Sequence, residues 1–148
     1  MLNLRENRGR LLVVVLLVVL LVAVRAFEND LFYDPLLDYF RENYANLPLP
    51  EIDHALLFGN IFLRYSINTG LSLGIIFLLF DKGTSKFAFW LYLILFIVLC
   101  ITLFLSIHYL PEQKMVIFYV RRFLIQPLFL ILFLPAFYFN EKMIEKSQ

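Results

Sequence analysis

Residues 87–110 read FAFWLYLILFIVLCITLFLSIHYL, with no Asp, Glu, Lys or Arg anywhere between Phe87 and Leu110. At about 1.5 Å per helical residue this stretch outspans a hydrocarbon layer roughly 30 Å thick. Trp90, Cys100, Thr102, Ser106 and His108 are its only notable interruptions. The rest of the chain agrees with a membrane setting. Of 148 residues, 61% are hydrophobic and 17% charged, and the mean hydropathy is +0.79. A soluble domain sits nearer half apolar, and a core of this size could not hide the excess. Most soluble enzyme classes are therefore excluded. A formal charge of +1 gives no global pull toward nucleic acid. Cys100, the single cysteine, rules out an internal disulfide framework and any multi-cysteine metal site.

Working outward, three more spans appear. Leu11–Val24 is an unbroken run of Leu, Val and Ala, extended through Phe27. Residues 55–80 carry Asn60, Arg64, Asn68, Thr69 and Ser72, and residues 116–139 hold Arg121, Arg122, Gln126, Pro127 and Pro135, prolines that usually kink such a helix. The expected fold class is an all-α integral membrane protein of four transmembrane helices forming a single membrane domain. Its spans fall near 11–27, 55–80, 87–110 and 116–139, with an outer segment over 28–54. The basic start and Val24-Arg25-Ala26 also resemble a cleavable signal peptide, but Arg25 and Phe27 are poor flanks for cleavage, which favours an uncleaved anchor.

Lysine and arginine in short loops set the orientation. Arg5, Arg8, Arg10, Lys82, Lys86, Lys142 and Lys146 would share the cytoplasmic side with both termini. Outside lie Glu28, Asp30, Asp34, Asp38, Glu42, Glu51 and Asp53 with only Arg41, plus the turn 111–115 with Lys114. Within that segment Asp34 can cap a helix beginning at Pro35. Leu36, Leu37, Phe40 and Tyr44 then recur at helical spacing, as in an amphipathic helix lying on the membrane. Leu47-Pro48-Leu49-Pro50 predicts an extended connector.

Counting about twenty residues from each inner boundary puts Arg25, Arg64, Arg121, Arg122 and His108 near one height, close to the outer surface. Asn60, Arg64, Asn68 and Ser72 recur every four residues as one polar stripe. Arg122 and Gln126 can share a helix face, whereas Arg121 and Arg122 point about 100° apart. Gly70 and Gly74 permit close helix contact. No Asp or Glu lies within the apolar stretches, so the counter-charge must come from the acidic outer segment, lipid phosphates or a partner. Snorkelling of each arginine to the headgroups is the plain alternative, and it suits Arg25 best. A shared pocket lacking embedded carboxylates would make Arg64, Arg121, Arg122, Asn60, Asn68, Gln126 and His108 a binding site for an anion or partner.

Catalytic residues are not apparent. Cys100 lies in the apolar run Val-Leu-Cys-Ile, and His108 is about 12 Å further along the same helix. A metal site from His54 and His108 has no supporting ligand spacing, and no cofactor is expected. Trp90 and Tyr92 fit an aromatic belt near the inner face.

Several segments resemble the exosortase F system-associated proteins. They are Val24-Arg25-Ala26-Phe27-Glu28-Asn29, Leu31-Phe32-Tyr33-Asp34-Pro35, Leu47-Pro48-Leu49-Pro50, the stretch 60–68, and Phe118-Tyr119-Val120-Arg121-Arg122-Phe123-Leu124-Ile125-Gln126-Pro127. The resemblance covers nearly the whole chain. It implies a small bacterial inner-membrane protein encoded alongside an exosortase, a membrane-embedded cysteine peptidase or transpeptidase that sorts proteins by a C-terminal membrane tail. Exosortases pair a Cys in a short polar motif with Arg and His near the outer face. Cys100 lacks that motif, so the resemblance implies a non-catalytic accessory whose partners are an exosortase-type peptidase and membrane lipids, with no nucleic acid. Two other classes stay open: a membrane enzyme or carrier for a lipid-linked phosphate, and a purely structural membrane subunit.

Overall fold

The computed structural model describes residues 8–32, 34–125 and 128–148. These residues form seven α-helices and one 3-10 turn: α1 Arg8–Ala26, α2 Glu28–Leu31, α3 Pro35–Arg41, the turn Tyr44–Asn46, α4 His54–Leu79, α5 Lys82–Tyr109, α6 Lys114–Ile125 and α7 Leu128–Ser147. No strand occurs among the described residues. Helices α1, α4 and α5 are each long and apolar enough to cross a membrane, and α6 with α7 makes a fourth crossing if the pair counts as one span. The chain is an all-α, multi-pass membrane protein. Its outward faces agree: Leu12, Leu16 and Val22 of α1 and Ile94, Val98 and Ile101 of α5 lie exposed, which is stable only against lipid.

Aspartates start two of the long helices. The Asp53 carboxylate accepts from the amides of Ala55 at 3.0 Å and Leu56 at 3.2 Å, satisfying donors that a helix start leaves open. Asp81 does the same for Gly83 at 3.1 Å and Thr84 at 3.2 Å. This second cap explains a departure from expectation. The basic loop foreseen over 81–86 shrinks, because α5 starts at Lys82 and absorbs Lys82 and Lys86 into its first turns.

Asp81 also gives a pH dependence. The Thr84 hydrogen bonds hold its carboxyl below its ordinary value of 3.8. The cap is therefore intact above pH 3.8 and is lost as pH falls through the lower folded value. Hydrogen exchange at the Gly83 and Thr84 amides should accelerate across that acid range beyond the intrinsic trend, and Asp81→Asn should flatten the effect. Unchanged protection down to pH 2 would count against it.

Helix α4 packs against α1, α5 and α6, so its polar stripe faces protein. Arg64, Asn68 and Ser72 are buried. Of the two glycines that could admit a neighbour, only Gly74 does so. A Cβ there would sit 3.2 Å from Leu17 of α1, whereas one at Gly70 would meet open space. Tyr92 is also reassigned. It is core and not an interfacial belt residue, because it is 3% exposed and its carbonyl accepts from the Tyr65 hydroxyl at 2.6 Å. Trp90 remains exposed.

The span foreseen over 116–139 is bent, as its prolines led one to expect. Helices α6 and α7 form an angle of 64°. Gln126 and Pro127 lie outside the described residues, but a proline lacks the amide N–H that continues a helix. Pro135, by contrast, sits inside α7 without ending it. Aromatic contacts dock α7 along α5 and its junction with α4: Phe133 to Tyr92 at 5.5 Å and Phe137 to Phe80 at 5.8 Å.

The connector over 28–53 is packed onto the bundle and does not float on the membrane. Leu36 is fully buried and Tyr39 nearly so. The Tyr39 hydroxyl donates to the Leu47 carbonyl at 2.9 Å, and the Phe40 ring meets Phe118 of α6 at 5.2 Å. Lys114 of α6 reaches across and donates to the carbonyls of Tyr44 at 2.8 Å, Ala45 at 3.3 Å and Leu47 at 2.5 Å. One lysine thus satisfies a backbone that has few partners of its own.

Candidate functional site

At the connector end, charged side chains from four elements meet. The chain turns straight from α1 into α2, which sets Glu28 three residues past Arg25, a spacing at which helical side chains touch. Arg25 Nη1 lies 2.5 Å from Glu28 Oε2. The same carboxylate oxygen accepts from Arg64 Nη2 of α4. Arg64 Nη1 then lies 3.5 Å from Asp34 Oδ2. Asp34 in turn takes a fork from Arg121 of α6, with Nε at 3.1 and 3.0 Å from its two oxygens and Nη2 on Oδ2. The order is arginine, glutamate, arginine, aspartate, arginine. Three guanidinium groups share two carboxylates.

The depth of this network decides its importance. The side chains of Arg64, Arg121 and Asp34 are 3%, 4% and 5% exposed, while Arg25 keeps 47%. Charges that deep persist only when paired and hydrogen-bonded. The Phe32 ring covers Arg64, with the guanidinium carbon 5.2 Å from its centroid.

Of the possible sources of counter-charge, the connector of the chain itself supplies it for Arg64 and Arg121. The idea of a pocket without carboxylates is thereby corrected. Glu28 and Asp34 are not embedded in a span by sequence, but folding of the connector carries them in. Asp34 also departs from its expected role. It stands at the N-cap position of α3, with Pro35 following, yet its side chain makes no cap hydrogen bond because both oxygens are committed to arginine.

The remaining predicted residues divide. Asn68 donates to the Ile125 carbonyl at the end of α6 at 3.1 Å, tying α4 to α6 beneath the network. Asn60 donates to the Leu56 carbonyl of its own helix at 2.8 Å. His108 stacks on Phe104 at 4.4 Å and meets the His54 ring at 5.1 Å, on α5 and at the start of α4, so its ring neighbours are aromatic and not the arginines. Among the described residues no group of three or more His, Cys, Asp or Glu is placed to hold a metal. Gln126 lies outside the described residues.

Arg121 and Arg122 diverge as consecutive helical residues must. Arg121 is 3% exposed, whereas Arg122 lies at the surface. They nonetheless border one cavity of about 240 Å³, lined by Arg25, Glu28, Leu37, Arg41, Phe118, Arg121, Arg122 and Ile125. Four arginines face a single glutamate there. Arg41, which also donates weakly to Asn29 Oδ1 at 3.5 Å, was not foreseen as a site residue. It looked like a lone base in an acidic stretch, and only the fold of α3 brings it beside α6. Glu28 left a legible trace in its spacing from Arg25, whereas Asp34 left none.

Comparison with known proteins adds no family: no family model, curated protein or solved structure matches the chain.

Proposed function

We propose that this chain is a non-catalytic accessory protein of an exosortase-type sorting and processing system in the bacterial inner membrane. Both termini are cytoplasmic, and the chain docks a partner, substrate or anionic group, from the machinery or from the surrounding lipid, through the arginine layer at its outer surface. The observation that carries this reading is the cavity lined by Arg25, Arg41, Arg121 and Arg122 together with one carboxylate, Glu28. Such a surplus of guanidinium in a partly apolar recess attracts an anion more strongly than the same charges spread in water. Orientation follows from the Lys and Arg of the N-terminal tail, the start of α5 and the C-terminal tail. The exosortase assignment follows from the resemblance of Phe118-Tyr119-Val120-Arg121-Arg122-Phe123-Leu124-Ile125-Gln126-Pro127 and the connector motifs.

Affinity isolation in mild detergent from membranes of the native host is expected to recover an exosortase-type peptidase. Arg122→Leu should insert normally, since Arg122 is exposed. It should slow removal of C-terminal tails from sorted substrates by about tenfold, the loss of one charge-assisted contact. Undisturbed processing, with no peptidase recovered, would reject the proposal.

A further inference from the structure

The cavity beside the network has the chemistry of a phosphate site. Asp34 shares its two oxygens between Arg121 and Arg64, and Glu28 shares one oxygen between Arg25 and Arg64, so both carboxylates already serve two arginines each. Arginines converging from different elements on one recess suit a group with more acceptor oxygens, held by several forks at once. Here Arg25 ends α1, Arg41 ends α3, and Arg121 and Arg122 come from α6.

The other wall of the cavity is apolar. Leu37, Phe118 and Ile125 line it, and Phe27, Leu31 and Phe123, all exposed, lie within three residues of Arg25, Glu28 and Arg122 in the chain. Arg25 follows directly on the apolar run of α1, which places the recess where hydrocarbon gives way to headgroups. A volume of about 240 Å³ falls below the roughly 300–1,000 Å³ of pockets for drug-sized ligands. It accommodates a headgroup and leaves the acyl chains outside, along exposed apolar side chains.

We propose that this four-arginine cavity binds the phosphoryl headgroup of an anionic phospholipid. The inference rests on the reading of the cavity as an anion-docking site and names the anion. It also gives the connector a second anchor, since a lipid phosphate held between Arg41 and Arg122 would fasten α3 to α6 from the membrane side.

The test uses the full chain, stripped of lipid in detergent and titrated with phosphatidylglycerol, phosphatidylcholine or inorganic phosphate, with bound species counted by native mass spectrometry. Phosphatidylglycerol is expected to bind the intact protein at least about tenfold more tightly than phosphatidylcholine, and Arg41→Gln/Arg122→Gln should remove that preference. Arg122→Gln alone carries the same test if the double variant does not assemble. Equal retention of the two lipids, or a preference that survives the substitutions, would overturn the inference. Inorganic phosphate binding as tightly as phosphatidylglycerol would overturn the lipid assignment. Peptidase co-isolation is a separate readout: a peptidase recovered without lipid preference would sink this inference alone, and lipid preference without a peptidase would sink only the assignment to a sorting system.

Discussion

Arg64→Leu is expected to destabilise the folded protein by about 3–5 kcal/mol, the usual consequence of removing one member of a buried ion pair. The substitution leaves Glu28 inside the bundle, 8% exposed, beside the half-exposed Arg25, and takes away one of the cations on Asp34. Sequence alone would make Arg64 a binding residue whose loss spares insertion and affects only function. Its position among α1, α4 and the connector makes it structural first. The decisive measurement is a double-mutant cycle with Glu28→Gln, read by thermal unfolding in detergent. Glu28→Gln should be costly in the intact protein and should become neutral or stabilising beside Arg64→Leu. If the two costs simply add, the pair is not coupled in the way the geometry requires.

Asp34→Asn should produce a loss of similar size, about 3–5 kcal/mol, by stranding the Arg121 guanidinium. Its consequence is also local. Asp34 is the polar tie between the start of α3 and α6, so the connector should detach before the long helices separate. Arg41 closes α3 and is exposed, which offers a direct assay. Trypsin should cut after Arg41 slowly in the intact protein and rapidly in Asp34→Asn, releasing a fragment that begins at Glu42. Cleavage at one rate in both proteins would show that α3 is held by its apolar contacts alone. Asp34→Glu, which keeps the charge but adds a methylene, should fall between the two.

The sequence made some of this architecture readable and left the rest silent for identifiable reasons. Uninterrupted apolar runs announced α1 and α5, because nothing but lipid suits them. The four-residue recurrence of Asn60, Arg64, Asn68 and Ser72 announced a protein-facing side of α4; the last three are buried and Asn60 is half-buried. Proline after aspartate marked the start of α3 correctly. Charge pairing was harder. Arg25 and Glu28 are near neighbours in the chain, but Arg121 finds Asp34 across 87 residues, a separation at which no local spacing rule operates. Arg41 entered the site for the same reason. The bend between α6 and α7 was legible in the prolines of 116–139, whereas hydropathy, which sums apolar residues without regard to direction, gave no measure of its 64°. His108 shared a computed height with the arginines, but height says nothing about the side of the bundle, and its ring turned to His54 and Phe104.

The alternating charges also impose an order on biogenesis. The ribosome delivers α1, the connector and α4 before α6 exists. At that stage Arg25 and Arg64 face Glu28 and Asp34, and the four groups are electrically neutral as a set. Arg121 joins only when the final hairpin is made, and it tips the cluster positive. The cluster that first meets the insertion machinery is therefore balanced in charge, and its one surplus cation arrives as the last act of assembly.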